Sequence, residues 1–111
     1  MRILGIDPGT GILGFGVIET GTKNSRMIDA GVIRTPAHQE LPARLLTLYN
    51  ELANIVDQHK PDVMAVEKLF FARNATTAIS VSHARGVVLL IGAQREIPIT
   101  EYTPLQIKQS V

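Results

Sequence analysis

The sequence predicts an α/β fold built on a mixed β-sheet, and three observations carry that prediction. Residues 2–34 hold three strand-like runs joined by short, turn-rich links. A helical apolar period then takes over, and each of two helical stretches leads into another short strand-like run. Finally, 45% of the 111 residues are hydrophobic and 19% charged, a balance that favours a packed core over disorder.

Residues 2–7, RILGID, read as the first strand and residues 13–19, LGFGVIE, as the second. The intervening PGTGI has the turn chemistry to join them antiparallel. Leu13, Phe15 and Val17 share one face of the second strand, and Gly14 and Gly16 the other. Residues 26–34, RMIDAGVIR, follow the turn-rich TGTKNS as a third strand, completing a meander.

Leu41, Leu45, Leu48, Leu52 and Ile55 then recur at steps of four and three, the spacing of one face of a helix over residues 40–59. Pro42 suits its first turn and KPD at 60–62 stops it. VMAVE at 63–67 is a fourth strand; reached through a helix, it pairs most simply parallel to an earlier one. Residues 75–95 form a second helix. Its middle, Val87 to Ile91, is apolar on every side, so it should bury two faces, one on the sheet and one on a second subunit. PITEYT at 98–103 is a fifth strand, and PLQIKQSV opens a further helix with Pro104 in its first turn. The last residue is an apolar valine with no capping signal, so the expectation is a single domain over 1–111, truncated at the C-terminus.

Several function classes are disfavoured. Without cysteine there are no disulfides and no thiolate metal sites, which suits a reducing, cytoplasmic setting. The N-terminus has no signal-peptide pattern, and the longest apolar run, Val87 to Ile91, is too short to cross a bilayer. A net charge of +1 leaves nucleic-acid binding to a local basic strip.

The chemistry concentrates at strand ends. Strands one and four both end in an acid, Asp7 and Glu67. Side by side, two carboxylates about 4 Å apart repel by roughly 4 kcal/mol at an effective dielectric near 20. A divalent cation reverses that cost, and oxygen-only ligands suit Mg²⁺, with Mn²⁺ as substitute, better than Zn²⁺. Gly9 and Gly11 would let a phosphate approach the backbone. Blander readings stand beside these: Asp before Pro-Gly is a common turn signal, and Glu67 also reads as a rim residue or a partner for Lys68. In VEKLFFARNATTA, 66–78, Phe70 and Phe71 could stack on unpaired bases while Lys68, Arg73 and Asn74 hold phosphates. Phe71 reads better as packed under the loop, and Asn74, Thr76 and Thr77 also serve as helix N-caps. His83 reads as a neutral surface or interface residue, and Lys108 as solvated or reaching a phosphate.

ILGIDPGTGILGFGVIE, VEKLFFARNATTAISVSHARG and YTPLQIKQSV resemble, in order and spacing, successive segments of the RuvC family of bacterial Holliday junction resolvases. The resemblance runs through the whole chain, and the second segment is the most specific. It implies an RNase H-like fold, a five-stranded mixed sheet of three antiparallel and two parallel strands flanked by helices. It implies a homodimer that cuts opposed strands of a four-way DNA junction in recombination and repair, working with the branch-migration motor proteins of the same pathway. Asp7 and Glu67 match two of the family's four metal-binding acids, Phe70 the aromatic wedged into the junction, and Lys108 a basic residue at the DNA surface. The implied chemistry is in-line attack of an activated water on phosphorus with the 3′-oxygen leaving and no covalent enzyme intermediate. The remaining two acids belong to a helix beyond residue 111, so this chain alone is expected to be inactive or nearly so.

Three rival readings follow from the same residues. The strand–Asp–Gly-rich turn–strand opening also occurs in actin-like and sugar-kinase-like ATPases, which need two such domains and more than 111 residues. A junction-binding module without catalysis fits a chain holding half of the acids. A related RNase H-like nuclease family shares GIDPG but should lack FFARNATTA.

Overall fold

The computed structural model describes residues 1–9, 11–68 and 75–102. Within them the chain runs β1 (Arg2–Asp7), β2 (Ile12–Thr20), β3 (Ser25–Arg34), α1 (Leu41–His59), β4 (Val63–Glu67), α2 (Ala75–Gln94) and β5 (Ile99–Tyr102). The five strands form one sheet in the order β3-β2-β1-β4-β5. β1 pairs antiparallel with β2, and β2 with β3, so the short links do close hairpins. The α1 crossover returns the chain parallel to β1, and the α2 crossover sets β5 parallel to β4.

Side chains alternate across each strand, and one face takes the core. Leu4, Ile6, Leu13, Val17, Ile33, Met64 and Val66 rise from that face and meet Leu48, Leu52 and Val56 of α1 and Ala84, Val88 and Ile91 of α2. Both described helices therefore lie on one side of the sheet. Leu52 is fully buried, so Leu52→Ala should cost about 2–5 kcal/mol. The opposite face is lined by Gly5, Gly14, Gly16 and Ala65, with Met27 and Val32 exposed toward the β3 edge.

One predicted helical face shifts. On α1 the buried stripe is Leu48, Leu52, Ala53, Val56 and His59, while Leu41 is exposed. The helix crosses the sheet with its first turn off the core, and Pro42 lies in that turn as expected. Lys60, in the left-handed region at φ 48°, ends the helix by donating its N–H to Val56 O at 2.8 Å. On α2 one face is buried, and Ile79 and Leu90 on the other are more than half exposed. No described helix is long and apolar enough to cross a membrane.

Candidate metal centre

Strand register builds the site. β1 and β4 pair Ile3 with Val63 through Ile6 with Val66, so the next positions, Asp7 and Glu67, fall side by side at the strand tips. Both acids are odd-numbered on strands whose even-numbered residues face the core, so they project from the open face. Asp7 sits opposite Gly14 on β2, where an added β-carbon would lie 3.8 Å from the Asp7 β-carbon. The glycine leaves the acid room beside its neighbour strand.

The two carboxyls meet. Glu67 is raised above the usual carboxylate range, first by partial burial, then by its hydrogen bond with Asp7, then by the Asp7 charge. The register continues to β5, where Tyr102 pairs with Glu67. Its phenol is raised by burial and then by the charges of Glu67 and Asp7. Tyr102 is the site neighbour that strand reading missed. Its signal was the ITEY run, which ends at the same sheet edge as the two acids but carries no ionised group at neutral pH.

This donor set fits a hard divalent cation. It offers two adjacent carboxylates that repel one another, a set of hard oxygen donors. A cation between them would remove the strain that burial and mutual repulsion place on Glu67. Among the described residues no cluster of three or more His, Asp or Glu side chains forms, so the pair alone makes a site with two protein donors.

The other predicted residues divide. Lys68 Nζ lies 4.0 Å from a Glu101 carboxylate oxygen on β5. Arg85 on α2 also pairs with Glu101, which ties α2 to β5 beside the site. His83 is half-buried on α2. Gly9 has a reason internal to the chain: a β-carbon there would lie 2.4 Å from Ile12 O, so the β1–β2 turn closes only with glycine. Phe70, Phe71, Arg73, Asn74 and Lys108 fall outside the described residues, as does the helix expected after Pro104, and the side chains of Thr76 and Thr77 are likewise undescribed.

A three-strand meander extended by two parallel strands, with acids at the tips of the two central ones, is an RNase H-like fold. The structure described as Thermus thermophilus RuvC in complex with Holliday junction substrate matches it at a TM-score of 0.92 and 29% identity, covering 98% of this chain and 70% of that one. The family model for crossover junction endodeoxyribonuclease RuvC matches residues 3–111, and the chain belongs to that family. A crossover junction endodeoxyribonuclease RuvC of Thermomicrobium roseum is 53% identical over 111 residues, which are all of this chain and 68% of that protein. One from Desulfitobacterium hafniense is 55% identical over 111 residues and covered to 67%.

Proposed function

We propose that this chain forms the catalytic sheet of a Holliday junction endonuclease, in which Asp7 and Glu67 hold Mg²⁺ against a DNA phosphodiester. The observation that carries the reading is the meeting of two carboxyls at adjacent strand tips in a chain of this family. Asp7, the more exposed of the two, anchors the metal site, and Glu67 contributes one oxygen ligand beside it. An ion held by Asp7 and Glu67 would polarise the scissile phosphate and offset the charge that develops on its oxygens. The chain's own groups set where the phosphate rests: the β1–β2 turn beside Asp7 and the open, small-residue face of the sheet let a bulky duplex come close. Lys68, Arg73, Asn74 and Lys108 are assigned to the phosphate backbone and Phe70 to the unpaired bases at the branch point.

Residues 1–111 bring two of the four acids, so by themselves they should bind the ion weakly and cut slowly or not at all. We assign the chain to a homodimer, since Ile79 and Leu90 leave an apolar stripe on α2 and opposed strands require two sites. The motor proteins of the same pathway are the expected partners.

The test measures binding and cleavage side by side on a four-way junction and on a linear duplex of the same sequence. Selective junction binding, with Mg²⁺-dependent cutting when all four acids are present, supports the reading. Equal affinity for the linear duplex contradicts it. A junction-binding module without catalysis is the second reading, favoured for residues 1–111 by the two-donor site. It prevails if cutting stays absent when the missing acids are supplied.

A further inference from the structure

The described arginines are Arg2, Arg26, Arg34, Arg44, Arg85 and Arg95, and of these Arg26 and Arg34 are exposed on β3. Arg2, Arg85 and Arg95 each face a carboxylate, Glu19, Glu101 and Asp57 respectively. Arg44 faces none among the described residues, yet it is partly buried and held in place. Three contacts set its position. Thr35, 6% exposed just beyond β3, donates its N–H to Gly11 O at 3.1 Å, tying the end of β3 to the β1–β2 turn. The Thr35 hydroxyl accepts a hydrogen bond from Arg44 Nε at 3.2 Å. Arg44 Nη2 lies 3.3 Å from the point a β-carbon on Gly11 would occupy, so the guanidinium lies against the turn itself.

That turn begins directly after Asp7. Arg44 therefore stands at the sheet end that carries the carboxylate pair, on its β2 side and on the helix face of the sheet, while the two acids project from the open face. Of the five N–H donors of a guanidinium, the described contacts use one. A planar cation fixed in this way loses little side-chain freedom on meeting a phosphate, and its fork matches two phosphate oxygens.

We infer that Arg44 is a phosphate-contacting residue of the DNA interface: Thr35 fixes it against the β1–β2 turn, and its outer N–H groups take a backbone phosphate neighbouring the one at Asp7 and Glu67. The inference rests on the junction reading above and extends its contact surface to the first turns of α1. Phosphate contacts of this kind set the position of the DNA and carry no base preference.

The test is the affinity of the full chain for a synthetic four-way junction, in Ca²⁺, across a salt series. Arg44→Gln keeps a donor for Thr35 and removes the charge. It should weaken binding about tenfold and lower the slope of log affinity against log salt by about one unit per bound chain. Arg44→Lys keeps the charge and should keep the slope, with a loss of about threefold. Thr35→Val should also weaken binding with the slope kept. Unchanged affinity in Arg44→Gln overturns the inference, and so does weaker binding with the full slope retained, which would make Arg44 a brace for the turn only. If the unaltered chain binds no junction, the junction reading falls and this inference with it. If it binds and Arg44→Gln is indifferent, only the inference falls.

Discussion

At the sheet end where β1 begins, Met1, Arg2, Glu19 and His59 each have a partner of opposite charge or a hydrogen-bonding group. Arg2 donates to His59 O at 3.0 Å and to Glu19 at 3.2 Å, and its backbone N–H donates to Asp62 at 2.7 Å. His59, largely buried, lies 3.0 Å from Asp29, and Arg95 on the α2 side holds Asp57 at 2.6 Å. At the end where β1 stops, like charges meet: Asp7 against Glu67, with Arg44 joined to a hydroxyl and a turn. The same strand thus runs from a satisfied end to an unsatisfied one. The first end holds α1 and the sheet together. The second keeps its charge unbalanced, as a group built for a ligand does.

The comparison can be broken in several ways. The largest effect is expected from Asp7→Asn in a protein carrying all four acids: junction cleavage should fall by at least about a thousandfold, with junction affinity nearly unchanged. Equal losses of both, measured by gel shift and cleavage, would make Asp7 a folding residue. Next, Arg2→Ala should cost about 1–2 kcal/mol in urea unfolding, through lost hydrogen bonds to His59 O and Glu19, and leave junction binding intact. Smaller still, and opposite in sign, Glu67→Gln should raise Tm in EDTA at neutral pH, because a neutral amide removes the cost of burying a charge and then the repulsion by Asp7.

The pH dependence sharpens the same point. Glu67 has its folded pKa raised above 4.5, so the folded state binds its proton more tightly than the unfolded state. Its contribution to stability is therefore greatest in acid and falls as pH rises through the interval from about 4.5 to the folded value. Calorimetry in EDTA should show that fall in the wild type and not in Glu67→Gln. The smallest effect is Arg95→Ala. Arg95 holds the Asp57 carboxyl below its usual range, but Asp57 is solvent-exposed, so Tm should drop by no more than a degree or two.

Much of this was legible before any coordinates. The hairpin links and the first helical crossover already permitted β4 to lie beside β1, and the strand-end acids on those two strands implied a shared site on that condition, which the β1–β4 register meets. What stayed hidden was long-range. Arg44 meets Thr35 and Gly11 only after β3 and α1 have packed, and no local pattern marks it. Gly9 reads as room for a phosphate, whereas the nearby Ile12 carbonyl is what forbids a side chain there. The α1 stripe was displaced because periodicity shows that a helix has an apolar face but not where the sheet beneath it ends.

Thermal unfolding with and without Mg²⁺, run on the wild type and on the Asp7→Asn/Glu67→Gln pair, tests the shared-ion claim most directly. The account expects Mg²⁺ to raise the wild-type Tm and to leave the double variant where it is in EDTA. An equal rise in both proteins, or none in the wild type at saturating Mg²⁺, would contradict it.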